Sequence, residues 1–276
     1  MKQTQQYLEF LEFGRKLSKN TIKSIEHDFT TFGEGLEQAT RKDVERYVMD
    51  QNKKGMSTGT LARRVASIKG FFEWQQYNDY RVGLNPADGK IAPKIKNKSH
   101  EAISINLLDH LYQQAPTDTL KVAIALMGYA GMRLGEVVGI GTTSKTYRDE
   151  NNELAIHLTE TKGDKERSIT LALAPNKELI EFADKSGGLM GKRGVLSTNG
   201  LWRQMGNYFK EMGHSDLSPH GLRATFSTIS VTNGIRVDVV RDVMGHGSLQ
   251  GNTITSQYVK VCSVEDQSRE LLEGWC

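Results

Sequence analysis

Apolar residues recur at helical spacing along most of the chain. Tyr7, Phe10, Leu11 and Phe13 form a first stripe before Gly14. Ser18 stands where a cap would open a second helix, in which Ile22, Ile25, Phe29 and Phe32 repeat at the same period. Thr40, with Asp43 three residues on, has the form of an acidic capping box, and Val44, Tyr47 and Val48 follow on one face. Ser57 opens a fourth helix with Leu61, Val65, Ile68 and Phe72 inward. The stretch NPADGKIAPKIKNKSHEA then breaks the pattern with two prolines, a glycine and several lysines, a linker composition. Helical patterns resume over about 104–115 and 118–130. The period changes in a β-rich section over about 143–173. Leu154, Ile156 and Leu158 alternate with polar neighbours, and Ile169 and Leu171 resume the alternation after a polar turn, which predicts a hairpin. Helical spacing returns over about 175–185, 198–212, 219–233, 236–244 and 263–273. The expected fold is mainly α. It has a four-helix domain over 1–85, a lysine-bearing linker over 86–101, and a mostly helical domain over 102–276 with a small antiparallel β-sheet.

Composition narrows the class. Of the 276 residues, 37% are apolar and 25% charged, enough for a core under a well-solvated surface. No apolar run approaches the roughly 18 residues that span a bilayer, and the polar N-terminus has no continuous apolar stretch of a secretory signal. The only cysteines, Cys262 and Cys276, form no C-x-x-C, so a reducing cytoplasmic setting is expected. The net charge of +3 says little, but its distribution says more. Residues 1–97 carry 17 basic and 12 acidic side chains, and residues 98–276 carry 19 and 21. A basic first third fits contact with a polyanion as well as it fits a solvated surface. The polar side of the fourth helix, with Thr60, Arg63, Arg64 and Ser67, is open to the same two readings.

The familiar cofactor signatures are absent. There is no G-x-G-x-x-G after a strand, no G-x-x-x-x-G-K-[ST], no H-E-x-x-H and no EF-hand loop. Gly191-Lys192 is followed by Arg193 with the wrong glycine spacing for a phosphate loop. Neither a nucleotide cofactor nor a metal is expected. What remains is a set of polar residues in short, distinctive contexts. In GYAGMRLGEVVGI, Arg133 and Glu136 stand at i and i+3 and can pair on one helix face. In TETKGDKERSITL, Lys162 occupies a tight turn between two strands, where it is either solvated or carried into a ligand. In SPHGLRATFST, Ser218-Pro219 reads as a helix start, with His220 and Arg223 on its first turns where anions are favoured. In VMGHGSLQGNTITSQYVK, His246 lies between glycines and Tyr258 follows on a short, partly apolar helix.

In that order, these contexts resemble the tyrosine recombinases, the phage integrases and Xer-type enzymes. LSKNTIKSIEHDFTTF and STGTLARRVASIKGFFEW look like that family's N-terminal core-binding, SAM-like domain, and NPADGKIAPK looks like its interdomain linker. The resemblance implies a site-specific recombinase that cuts and rejoins DNA without metal or ATP. Tyr258 would be the nucleophile that forms a 3′-phosphotyrosyl intermediate, and Arg133 and Arg223 would hold the non-bridging phosphate oxygens. His220 would take the phenolic proton, and His246 would bond the same phosphate. Glu136 would orient and buffer the site. Lys162, preferred over Lys165 and Arg167 because it occupies the Thr-Lys-Gly position, would protonate the leaving 5′-oxygen. Thr60, Arg63, Arg64 and Ser67 would contact DNA.

The resemblance also implies a homotetramer on two synapsed double-stranded sites. Its coupling element would be the C-terminal helix over 263–273, docked into a neighbouring protomer. Separate accessory DNA-bending proteins are compatible with this. With the core-binding domain first in the chain, only core sites are expected to be needed. Tyr258 lies 12 residues after His246, further than is usual in the family, with the enlargement in Leu249-Gln250-Gly251-Asn252. This spacing favours a mobile-element integrase over a housekeeping Xer protein. The alternatives are a type IB topoisomerase-like enzyme and a catalytically silent DNA-binding regulator.

Overall fold

In the computed structural model, residues 2–89, 91–94, 101–159, 166–191, 194–245 and 264–275 are described. The chain divides into two units, Met1–Lys98 and Ser99–Cys276.

The N-terminal unit holds the four helices that the apolar spacing predicts. They are α1 (Gln3–Glu9, continued by a wider turn over Phe10–Gly14), α2 (Lys19–Phe32), α3 (Arg41–Lys53) and α4 (Thr58–Tyr77). Their starts are set by side chains. Ser18 accepts the Thr21 N–H at 3.2 Å and Ser57 accepts the Thr60 N–H at 3.2 Å, while Asp43 reaches back to the Thr40 N–H at 2.9 Å. Aromatic rings fill the centre: Tyr7, Phe29 and Trp74 all lie within 6.2 Å of the Phe71 ring, centroid to centroid. Helix α4 is the hub of the unit. Leu61, Val65, Ile68, Phe71 and Phe72 are buried along it, together with Arg64 and Gln75.

The second unit is built round α6 (Asp118–Gly128), whose residues from Val122 to Gly128 are all buried. Before it comes α5 (Ile105–Gln113), and after it the short α7 (Leu134–Val138). A three-stranded antiparallel sheet follows: β1 (Ser144–Arg148), β2 (Leu154–Leu158) and β3 (Arg167–Thr170), in that spatial order. Ile156 faces Ile169 across the β2–β3 pair, and both are fully buried, as the period-two pattern requires. Then come α8 (Lys177–Lys185), a two-stranded ribbon of β4 (Met190–Gly191) and β5 (Gly194–Val195), α9 (Thr198–Glu211), α10 (Pro219–Thr232) and α11 (Val237–Met244). The ribbon is an addition to the expected single sheet. Two residues per strand are too few to leave a periodic signal.

The last helix, α12 (Val264–Trp275), packs on its own unit. Leu271 is fully buried, the Gln267 side chain accepts the Thr170 N–H of β3 at 3.3 Å, and Trp275 donates to Ser230 of α10 at 3.1 Å. Among the described residues, no helix is long and apolar enough to cross a membrane.

Candidate active site

The site is assembled where α7, α10, β3 and the end of α11 meet. Arg133 is the N-cap of α7. Its backbone N–H donates to Glu136 Oε2 at 2.8 Å and its Nη1 to Glu136 Oε1 at 2.8 Å. Glu136 at the third helical position thereby performs the backward half of a capping box. The expected pairing of these two residues is present, but it is not a surface ion pair, because Glu136 is only 5% exposed. Gly131, two residues before Arg133, has a φ of +62°, and a Cβ there would lie 2.5 Å from the Phe226 ring. The turn that delivers Arg133 therefore needs glycine at this point.

Arg223 lies on α10, capped by Ser218, whose hydroxyl accepts the Gly221 N–H at 3.3 Å. Arg223 is 6% exposed and donates to the carbonyls of Gly131 and Met244. His220 stands one turn earlier on the same helix, exposed at its N-terminal end.

Arg167 opens β3 in alternation with the buried Ile169 and Leu171, so its side chain enters the core side of the sheet. There it grips Glu136 with both arms, Nη1 to Oε1 and Nη2 to Oε2, each at 3.0 Å, and its Nε donates to the Val243 carbonyl at 3.2 Å. At the level of sequence Arg167 stands only as a neighbour of Lys162. The available signal was its phase, since it stands two and four residues before two core positions.

Three consecutive carbonyls at the end of α11 thus accept from three arginines. Val243 accepts from Arg167, Met244 from Arg223, and Gly245 from Arg133 Nη2 at 2.6 Å. These carbonyls belong to the last turn, where the helix offers no internal donors and its dipole favours cations. Gly245 adopts a φ of +61°, and a Cβ there would lie 2.5 Å from the Arg167 guanidinium. The helix ends at this left-handed glycine, the residue before His246 in the sequence.

Arg133 and Arg167 share the Glu136 carboxylate, and Arg223 lies close enough to feel that carboxylate and both other guanidiniums. The consequences appear in the titration of the groups. Burial, then the neighbouring Arg133 charge, lower Arg223 to about 10, although Glu136 acts in the opposite sense. Burial pushes the Glu136 carboxyl up, but the hydrogen bonds and charge of Arg167, followed by those of Arg133, outweigh it and hold the group below the usual carboxylate range. Clustered, partly buried guanidiniums are donors of the kind that suit an anion. A phosphate diester placed there would meet planar donor forks and relieve their mutual repulsion. No group of three or more His, Cys, Asp or Glu side chains among the described residues could hold a metal ion. Lys162, His246 and Tyr258 lie outside the described residues.

The phage integrase family model matches residues 105–263, more than half of the chain and all of the site just described, and that family's N-terminal SAM-like domain matches residues 4–76. The chain belongs to the phage integrase family. Members of this family are tyrosine recombinases, enzymes that cut and rejoin DNA. The chain is 26% identical to a tyrosine recombinase XerC of Herpetosiphon aurantiacus, over 91% of this chain and 89% of that one. It is 23% identical to a tyrosine recombinase XerD of Listeria monocytogenes, over 92% and 93%. The fold is similar to that of lambda integrase, solved as a dimer bound to a COC′ core site, with a TM-score of 0.69, 16% identity and coverage of 94% of this chain and 98% of that one. It is also similar to the Tn1549 transposon integrase in complex with transposon right end DNA, with a TM-score of 0.65, 15% identity and 99% of each chain covered.

In this phage integrase family chain, the expected DNA-facing residues of α4 are not equivalent. Arg64 is 7% exposed and turned inward, donating to Gln51 at 3.0 Å and lying 3.7 Å from Asp28. This corrects its expected place on a polar outer face: an arginine one residue after Arg63 sits 100° further round the helix, towards α3. Arg63 is exposed but clasps the fully buried Asp28, with Nη2 to Oδ1 at 2.7 Å, and Ser67 donates to the same carboxylate at 2.8 Å. Thr60 is half-buried beside its cap partner Ser57.

Proposed function

We propose that this chain is a site-specific recombinase that uses Tyr258 to break one DNA strand at a time and hold its 3′ end as a phosphotyrosine. The observation that carries this reading is the convergence of Arg133 and Arg223 on the carbonyls of Gly245 and Met244, the two residues before His246. A phosphodiester is anionic and repels nucleophiles, so negative charge must be neutralised as the pentavalent transition state forms. Two fixed guanidiniums supply that neutralisation, and preorganised donors of this kind are commonly the largest catalytic term.

Tyr258 attacks phosphorus, and His220 accepts the phenolic proton. The bond to the 5′-oxygen breaks as Lys162 supplies a proton to it. His246 donates to the same phosphate. The ester conserves the free energy of the broken bond, so a 5′-hydroxyl from a second duplex can reverse the steps and join the strands without ATP. Glu136 keeps Arg133 oriented.

The core-binding unit holds the duplex with Thr60, Arg63 and Ser67 of α4, with Arg64 bracing them from below. Binding therefore weakens as salt rises. Four protomers assemble on two double-stranded sites, with α12 leaving its own unit to dock on an equivalent surface of the neighbour. Support for the assembly comes from the solved relative that is titled as a lambda integrase tetramer bound to a Holliday junction. Support for the exchange comes from the self-contained α12 dock around Leu271 and Trp275. The enzyme works in the cytoplasm on the DNA itself, and the role we favour is integration of a mobile element.

The test begins with duplexes selected from a randomised pool by binding, then nicked one nucleotide beyond the cut so that religation fails. Wild-type protein should yield a denaturation-resistant adduct with a free 5′-hydroxyl, and Tyr258→Phe should abolish it. Sequence-selective binding without an adduct would instead establish a silent regulator. Adducts on any sequence, with supercoil relaxation by a monomer, would establish a topoisomerase.

A further inference from the structure

The proposed chemistry assigns roles to two of the three arginines in the site. The third, Arg167, makes a set of contacts of a different kind. All three of its side-chain nitrogens donate to protein groups: two to Glu136 and one to the Val243 carbonyl. Its side chain is 12% exposed, against 25% for Arg133. Its fork is therefore directed at a carboxylate inside the protein, not at the opening of the pocket.

Those contacts join β3, α7 and α11. Glu136 receives Arg167 on one side and both the backbone and the side chain of Arg133 on the other. A bidentate grip fixes the plane of the carboxylate, which in turn fixes the Arg133 guanidinium. The Val243 contact holds the last turn of α11, and the glycine two residues on lies directly against the guanidinium. Arg167 itself begins β3, five residues after Lys162 in the sequence. One side chain therefore joins the start of β3, the Arg133 cap and the last turn of α11.

We infer that Arg167 is a positioning residue for strand cleavage, holding the Glu136–Arg133 pair and the α11 exit in register so that both arginines meet the phosphate at once. The inference rests on the recombinase reading. Lysine cannot replace it, because one ammonium cannot reach both Glu136 oxygens and the Val243 carbonyl with the planar geometry that a guanidinium provides. The contacts are internal and already made before DNA arrives, so the residue should influence the chemical step and not the affinity.

The experiment measures single-turnover cleavage of the selected nicked duplex at saturating protein, alongside binding of the same duplex. It compares wild type, Arg167→Ala and Arg167→Lys, each with its thermal transition recorded. Arg167→Ala should cleave about 30- to 100-fold more slowly, in the upper part of the roughly 10- to 100-fold loss known for hydrogen bonds that support metal ligands, with binding within threefold of wild type. Arg167→Lys should recover less than tenfold. Ethylguanidinium added to Arg167→Ala should restore part of the rate. If the alanine variant does not fold, the lysine variant alone decides, and slowed cleavage with normal binding supports the role. Cleavage within threefold of wild type in either variant, or binding that falls in step with cleavage, overturns the inference. So does a failure of ethylguanidinium to raise the rate of a folded alanine variant. If wild type itself forms no adduct, the recombinase reading and this inference fall together. If wild type does and Arg167→Ala matches it, only the inference falls.

Discussion

Each unit of the molecule buries a carboxylate among arginines, and the two clusters serve different ends. In the N-terminal unit, Asp28 is fully buried and meets Arg63, Arg64 and Ser67, while Arg64 turns its other donors to Gln51 and Tyr47. The partners come from α2, α3 and α4, so the cluster ties three helices together. In the catalytic unit, Glu136 meets Arg133 and Arg167, but Arg223 joins as a third cation, and all three arginines also lean on the main chain of α11. The first cluster is answered by side chains alone. In the second, the guanidiniums donate to main-chain carbonyls as well as to the carboxylate, and those donors are the groups an incoming anion would meet. Buried arginine alone therefore says little about function. What the arginines lean on, side chains or a helix end, distinguishes the two clusters.

The largest expected effect breaks the catalytic cluster at Arg223. Arg223→Ala should slow adduct formation on the nicked duplex by about 100- to 1,000-fold, the loss that follows removal of one preorganised transition-state donor. The same change should leave amide exchange of α2 and α4 unaltered. A rate within tenfold of wild type in a folded variant would mean that this cluster, too, is a brace.

The next effect breaks the N-terminal cluster. Asp28→Asn removes the charge that two guanidiniums face, one of them buried. Breaking such a pair costs about 3–5 kcal/mol when both partners are buried. Because the Arg63 side chain is 45% exposed, about 2–3 kcal/mol is the better expectation. Hydrogen exchange of α2 and α4 amides should accelerate correspondingly, while the catalytic unit keeps its protection. At saturating protein and a temperature where the variant is folded, cleavage should stay within threefold of wild type. Slowed cleavage there would show that the two clusters do not divide their labour as described.

These contrasts also show what the sequence could reveal. The helices were legible because their buried faces repeat at helical spacing and their starts carry Ser18, Thr40, Ser57 and Ser218, residues whose side chains bond the backbone locally. Arg133, Glu136 and Arg223 were legible through short motifs. Arg64, expected on the polar face, and Arg167, given no role, escape a sequence reading for the same reason. An arginine in a polar run looks solvated, and only the partner tells otherwise. Those partners, Gln51 and Asp28 for one and Glu136 and Val243 for the other, lie between 13 and 76 residues away along the chain. The shared use of three successive carbonyls is a tertiary fact with no local signal at all, because a main-chain acceptor leaves no trace in residue identity.

The smallest expected effect concerns acid, and it sharpens the comparison because it measures a difference between opposing terms. Burial raises the Glu136 carboxyl, while the bonds and charge of Arg167 and then Arg133 lower it further than burial lifts it. Its folded value therefore lies below its ordinary value of 4.5. A group lowered by folding adds stability that is fully present above the unfolded value and is lost as pH falls through the folded one. Relative to Glu136→Gln, the wild-type catalytic unit should keep a constant margin of stability down to about pH 5 and lose it progressively below 4.5. Urea unfolding followed by tryptophan fluorescence in a Trp74→Phe background confines the readout to Trp202 and Trp275, both in the catalytic unit. Arg167→Ala in the same series should flatten that acid limb, since it removes the strongest opposition to burial. A margin that grows on acidification would mean that burial wins at Glu136. The carboxylate would then be a poor anchor for Arg133.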